Sequence, residues 1–513
     1  MRKLCSHIIL LLFIQISFPS AAQKIMFSDV VTTEKVNMVT EILGKIQNHI
    51  LIFEAHRNST TLAAPRLYGV LDMCSIYVYD DTMHLITKQK LDLPREIFGV
   101  DFIRFKDSLY IFYQYQKNLT VNYEAVKING EGKIEGTPIG LDKTEGMNFF
   151  SQNNIYNMAV SENKKRIAVF KVNQGIESIY QIALLLFDDH LKLIERSNFR
   201  IPRNTIHETL MSFNVDNLGN FIFLRYAVPA DQAELNKLVF VFKEYHQDSV
   251  FYYNASPVDI QLHLPELTID NQKHEYRIFS LYYKNKSRKI EGIFAAIWSV
   301  AMRSLSSATK TPFAKALDSL PYPKYHDANF FNNLAIKDAL LEGNGKAFVG
   351  LDYFGESYVD LANADIEAIY NGPTALENET GYLRYQQKLD SYMYDWIHWT
   401  SPSNGGGRTS IFFIYDSLCA YNGSRVIEKQ REIKQFKMIN SGDALHFLYT
   451  TDDQSQLFSH ASLTADGNII KYPSKKNTDL YQLYLSIAEQ VSSNELIVPG
   501  LFRNKMFFAK IEL

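Results

Sequence analysis

Two seventeen-residue segments of this chain align without a gap, and their spacing limits what the chain can fold into. Val78 to Pro94 reads VYDDTMHLITKQKLDLP, and Leu186 to Pro202 reads LFDDHLKLIERSNFRIP. Asp80 matches Asp188, Asp81 matches Asp189, Leu85 matches Leu193, Ile86 matches Ile194 and Pro94 matches Pro202, an offset of 108 residues. Half that offset lands near Asn129, where Val126-Lys127-Ile128 leads into an Asn-Gly turn and Ile134 leads out. A unit of about 54 residues is the size of a four-stranded β-propeller blade with generous loops.

Strand signals continue from end to end: Ile50 to Phe53, Leu109 to Tyr113, Ile182 to Phe187, Phe221 to Leu224, Leu238 to Phe242 and Ile411 to Tyr415. Each is a short β-branched and aromatic run bounded by turn residues, as buried strands are. Turns at Asn129-Gly130-Glu131-Gly132, Asp216-Asn217-Leu218-Gly219, Glu342-Gly343-Asn344-Gly345 and Ala465-Asp466-Gly467-Asn468 place glycine just before the next strand, where a hairpin needs positive φ. The fold class is therefore all-β, a β-propeller of about seven or eight four-stranded blades. Ring closure protects strand edges and requires the chain ends to meet. Met506 to Leu513 is expected to pair into the blade begun near Ile42 to Phe53. An outer-membrane barrel is the structural rival, but Ile182 to Phe187 is apolar on both faces, unlike a strand dividing lipid from a wet lumen.

Two regions depart from the strand pattern. Thr311-Pro312, followed by Phe313, Ala316, Leu317 and Leu320, carries a capping residue and a first-turn proline, which predicts a short helix. From about 355 to 408 the chain is longer than a blade loop, has helical stretches, and ends in Gly405-Gly406-Gly407. This reads as a partly helical insertion in one blade.

Arg2 and Lys3, an apolar run from Ile8 to Phe18, and small residues at Ser20 and Ala22 read as an export signal over 1–22, with cleavage between Ala22 and Gln23. The mature chain, 23–513, is then a single propeller domain, exported to the periplasm or beyond. Losing Arg2 and Lys3 shifts the formal charge from −3 to −5. Lys286, Arg288 and Lys289 read as a solvated hairpin end, so no nucleic-acid partner is indicated. No later segment is apolar for eighteen residues, so no transmembrane helix follows the signal. Cys74 and Cys419 are compatible with one disulfide or with two buried thiols, and two cysteines alone make no zinc site.

Several phrases together resemble a family of uncharacterised exported bacterial β-propeller-like proteins. They are Ile42-Leu43-Gly44-Lys45-Ile46 with Ile50 to Phe53, Val100-Asp101-Phe102-Ile103, Ser161-Glu162-Asn163-Lys164, Val215 to Asn220, and Ile497 to Asn504 with Phe508 to Ile511. The resemblance spans nearly all of 23–513 outside the insertion. It implies export and a blade architecture, and it brings no catalytic residues.

Catalytic motifs do not emerge. Gly355-Glu356-Ser357-Tyr358-Val359 lacks the second glycine of a nucleophile elbow, and the thirteen histidines show no ligand spacing on one helix face. Catalytic residues are unassigned, and no metal or cofactor is expected. Asp80-Asp81 and Asp188-Asp189 read as solvated turns, with calcium as the sharper alternative. Thr451-Asp452-Asp453-Gln454 is similar, and none has the spaced ligands of a calcium loop. The suggestive segment is Tyr392 to Trp399, where Tyr392, Tyr394, Trp396 and Trp399 offer flat rings either to a sugar, peptide or protein, or to the blade on which the insertion docks. The functional expectation is an exported, non-catalytic, monomeric propeller that binds a protein partner or envelope polysaccharide. The alternatives are a secreted glycan hydrolase with acids in the central mouth, or an assembly protein of the cell envelope. If the signal reading is right, intact mass of the exported protein will place its first residue at Gln23; a product retaining Met1, or one carrying lipid, refutes it.

Overall fold

The computed structural model describes residues 23–30, 38–58, 70–95, 97–146, 155–174, 179–203, 208–227, 237–284, 289–314, 334–341, 346–353, 381–383, 411–415, 417–426, 433–441, 444–451, 453, 455–464, 468–479, 481–503 and 505–513. They form a β-propeller with almost no helix. Antiparallel strands group into seven hydrogen-bonded sheets. One of these has eight strands and is two four-stranded units run together, joined through the single pair Leu71↔Ile97. Against the expected seven or eight blades, the sheets number seven and the four-stranded units eight. In chain order the first seven blades span 38–90, 97–145, 157–202, 208–254, 260–312, 334–426 and 433–476. The closing blade takes Glu495–Phe502, Lys505–Glu512 and short inner pieces from the C-terminal end, and Lys24–Phe27 from the N-terminal end.

Alternation along each second strand explains why these runs are apolar on both faces. In the second blade, Leu109, Ile111 and Tyr113 pack back on Leu51, Phe53 and Ala55 of the first, while Tyr110 and Phe112 pack forward on Ile167 and Val169 of the third. A strand buried on both sides by neighbouring blades needs no polar face. Eight such clusters fill the successive interfaces, ending with Ile497 and Phe508 of the closing blade against Ile42, Ile50 and Ile52 of the first. Each fully buried Ile or Phe contributes roughly 1.5–3 kcal/mol. Outermost strands such as Leu85–Lys90 and Ser304–Pro312 instead alternate between exposed and half-buried positions.

Hairpins joining third to fourth strands repeat one device. The side-chain oxygen of Asp80 accepts from the amides of Thr82 and His84, that of Asn129 from Glu131 and Lys133, and that of Asp188 from His190 and Lys192. These are Asx turns, which accounts for the repeated aspartates without calcium. The fourth turn residue is left-handed in all three, as Met83, Gly132 and Leu191. Met83 and Leu191 tolerate it because their side chains are buried in the neighbouring interfaces. In six blades the register between first and second strands slips, at Ile42/Gly44, Ile97/Gly99, Met211/Asn214, His263/Glu266, Ile336/Asp338 and Ile433/Gln435. Such bulges sharpen the twist beside the central channel.

Two expectations change, and the cysteine alternatives resolve. The terminal strand, Lys505–Glu512, pairs with Lys24–Phe27 and Glu495–Phe502, and meets the first blade only by side-chain packing. Thr311 and Pro312 finish an outer strand against Ile293 and Gly292, an edge where proline's missing N–H costs nothing, and helix begins only at Phe313. Of the insertion, the described part is the strand Gly381–Leu383, which pairs with Val172–Gln174 of the third blade. The two cysteines are buried in separate clusters, so no disulfide joins them, and burial pushes the Cys74 thiol up to about 12. Separate radial sheets also dispose of the barrel. Deleting residues 24–27 should lower the urea midpoint and promote association through the bared edge of Lys505–Glu512. An unchanged midpoint would show that the ring closes without that strand.

Candidate functional site: the channel end and the closing seams

Hairpins between first and second strands gather at one end of the central channel, and their polar side chains reach across it. In three consecutive blades the Asn163 amide donates to the Asn217 side chain at 3.0 Å, and the Asn217 amide donates to Asn271 at 2.8 Å. Both pairs are 54 residues apart, so the repeat unit becomes a ladder of inter-blade hydrogen bonds. Asn271 Nδ2 then reaches past the fourth blade to donate to Glu162 Oε2 at 2.8 Å.

Arg104 makes the corresponding span on the other side. From the second blade its Nη1 donates to the Val491 carbonyl of the closing blade at 3.1 Å, crossing the inner edge of the first blade at Gly44. A Cβ at Gly44 would collide with the Arg104 side chain, and Gly44 has a φ of 113°, so glycine is needed both for the backbone and for the crossing. Lys164 Nζ donates to the Arg104 carbonyl at 2.8 Å. Burial, then the Arg104 charge, hold this ammonium below the ordinary lysine range, with Glu489 opposing them. These links tie the third, second and closing blades together at this end.

Farther along the second strands, five consecutive blades carry a polar residue in the interface. Glu54 accepts from Tyr77 and Lys88, Tyr113 donates to Glu124, Lys171 pairs with Asp142 at 2.7 Å, and the Ser280 hydroxyl bonds His263 backbone atoms. Arg225 grips Glu208 with Nη2 at 2.9 Å from both carboxylate oxygens and donates to the Pro202 carbonyl. These carboxylates are thus matched to cations or hydroxyls, as the cost of desolvating charge requires. Beside Glu54 and Tyr77 lies a cavity of about 10 Å³, also lined by Ile52, Tyr79 and Phe508, where the buried Tyr79 hydroxyl has no protein partner. That volume and polarity suit about one water molecule.

The closing blade has a polar lock on each side. Toward the first blade, the fully buried Lys510 contacts Asp81 at 2.6 Å, Glu495 at 2.8 Å and Glu512 at 3.0 Å, and Lys45 pairs with Asp81 and Glu495. Burial opposes the charge on Lys510, but these carboxylates outweigh it and raise its pKa. Desolvation likewise opposes charge on Asp81 and Glu495, and the lysines prevail and lower both. Toward the seventh blade, Ser441 Oγ lies 3.0 Å from His446 Nε2, His446 Nδ1 lies 2.8 Å from His460 Nε2, and His460 Nδ1 meets the Gln23 amide. A hydroxyl, a base and an orienting group in line resemble a nucleophile relay. His460, however, is buried in the seam, and the chain ends on Gln23 instead of opening to a substrate.

Of the residues expected from sequence, Gln23 is described and serves this seam, whereas Ala22, Tyr392, Tyr394, Trp396 and Trp399 lie outside the described residues. Among the described residues no cluster of three metal-ligating side chains occurs, and no helix is long and apolar enough to cross a membrane. Arg104, Lys164, His446 and His460 carry no sequence motif. Asn163, Asn217 and Asn271 were findable from their 54-residue spacing.

The crossing at Gly44 is open to a double-mutant cycle. Gly44→Ala should destabilise the protein by about 1–3 kcal/mol, and part of that loss should vanish in an Arg104→Ala background, where only the backbone strain remains. Strict additivity in urea unfolding would show that the two residues do not compete for the same space.

No known protein family matches the chain, and no curated protein matches it. Solved structures with partial similarity include an ulvan lyase bound to its saccharide, at 10% identity and a TM-score of 0.37, covering 79% of this chain and 90% of the other. A variant of the Synechocystis apocarotenoid oxygenase follows at 9% and 0.37, covering 88% and 94%. A protein of unknown function from Dyadobacter fermentans covers 96% and 98% at 8% identity and a TM-score of 0.31.

Proposed function

We propose that this protein is an exported, non-catalytic propeller scaffold that binds a protein partner or an envelope polysaccharide, working as a monomer in the periplasm or outside the cell. The observation that carries this reading is the pairing of the carboxylates in the blade interfaces: Glu54 and Glu208 face Lys88 and Arg225 of their own blades, and Asp142 and Glu495 face Lys171 and Lys45 of neighbouring ones. A general acid must reach a substrate with its carboxyl, and carboxylates whose oxygens are engaged by lysine or arginine inside the blade interfaces are not placed to do so. The channel end tied by Arg104, Lys164 and the asparagine ladder also suits a rigid platform better than a through-passage.

Contact with the ligand is assigned to the aromatic segment of the insertion, Tyr392, Tyr394, Trp396 and Trp399, which holds two of the three tryptophans in the chain. The strand Gly381–Leu383, paired to the third blade, anchors the chain shortly before that segment. Aromatic rings give a large contact area at low entropic cost, and truncating one at a central contact costs about 2 kcal/mol or more in binding. Trp396→Ala and Trp399→Ala should therefore weaken retention on envelope fractions about thirtyfold while leaving the melting temperature nearly unchanged. Variants that melt early but bind normally when folded would return these rings to the core. Turnover of a glycan by the wild type would replace the scaffold with the hydrolase.

A further inference from the structure

His446 and His460 come together through hairpin geometry. Their strands, Ala444–Thr451 and Gln456–Thr464, pair with His446 opposite Ser462 and Leu448 opposite His460. The two histidines are therefore diagonal neighbours on one face. That face looks at the closing blade, because Leu448 and Phe458 beside them pack on Leu496, Val498 and Phe507. The His460 ring also lies flat on Tyr472, with centroids 4.1 Å apart and planes 8° from parallel.

Two neutral imidazoles suit this chain of contacts. Each offers one donor and one acceptor, so the bonds Ser441–His446, His446–His460 and His460–Gln23 form together. One added proton already meets a donor: on His460 Nδ1 it faces the Gln23 amide nitrogen, and on His446 Nδ1 it faces the His460 N–H. A second turns N–H against N–H across the 2.8 Å gap and sets two like charges side by side. Among the described residues, the side chains hydrogen-bonded to the pair or stacked on it are Ser441, Tyr472 and Gln23, none of them a carboxylate that would stabilise either charge. We propose that this histidine pair is an acid-sensitive latch on the ring, whose protonation releases Gln23, and the strand Lys24–Phe27 behind it, from the seventh blade.

Linkage gives the pH window. Burial lowers both imidazoles, and with the added charge of His446 it takes His460 to about 3, against an ordinary histidine value of 6.5. A depressed folded value means the unfolded or opened form binds more protons. The latch is then fully closed above about pH 6.5 and loses strength as pH falls toward about 3. On the opposite seam Asp81 and Glu495 are also lowered, from 3.8 and 4.5, so their contribution persists until pH falls below the ordinary carboxylate range. Between pH 6.5 and 5 the seam of the seventh blade weakens and the seam of the first blade does not.

Hydrogen exchange of the amides of 24–27 at pH 7, 6 and 5, corrected for intrinsic exchange, tests this. Protection should fall by up to about tenfold per pH unit in the wild type, while 42–53 on the other seam stays protected. In the double variant His446→Asn, His460→Asn the fall should be absent. Equal protection of 24–27 at all three pH values, or the same fall in the double variant, overturns the proposal, as does matching loss in 42–53. If the double variant does not fold, His460→Gln alone keeps a polar partner for Gln23 and removes one titrating ring; a wild-type pH profile in it would be equally decisive against the latch.

Discussion

The four residue pairs between Lys24–Phe27 and Ala509–Glu512 join strands from the two ends of the chain within the closing blade. A four-stranded blade cannot bury both of its faces alone; each borrows half of its core from the next, so an open ring would expose one apolar face at each end. Packing of Ile497 and Phe508 on Ile42, Ile50 and Ile52 turns an open stack of blades into a ring, and the blade that does so is completed by the final pairing. It uses only four residues from one end, which makes the side chains around it matter more than in the blades whose strands follow one another directly.

The two seams of the closing blade answer that weakness with different chemistry. On one side the buried Lys510, with Lys45, holds Asp81 and Glu495 in an ion cluster, joining residues 429 positions apart in sequence. On the other, uncharged imidazoles and an amide join Gln23 to His460 across 437 positions. Ion clusters of this kind often add little over apolar packing, but they penalise misregistration strongly, because a shift would strand a buried charge. Apolar packing supplies the closure and the polar locks supply its register.

A functional reading follows from where polar groups are committed. The asparagine ladder, the Arg104 crossing and the Lys171–Asp142 and Lys45–Glu495 pairs fix blades to one another, and a rigid ring suits the presentation of binding segments on loops. The long excursion between the strands Ala347–Tyr353 and Ile411–Tyr415 includes the strand Gly381–Leu383, which pairs with the third blade.

By itself the sequence determined the β class, the unit of about 54 residues, the Asx turns behind the repeated aspartates, and the place of the insertion. All of these are written locally, in side-chain alternation and turn chemistry within a few residues of one another. Tertiary structure decided which strand completes the closing blade: Lys24–Phe27 is too short to stand out, and it is a strand only because the edge of Lys505–Glu512 awaits it. It also decided that Thr311-Pro312 extends a sheet edge before any helix starts, that Gly44 makes room for Arg104, and that His446 and His460 touch. Those outcomes depend on register and on blades meeting in space, and no spacing along the chain encodes a contact until both strands have been placed.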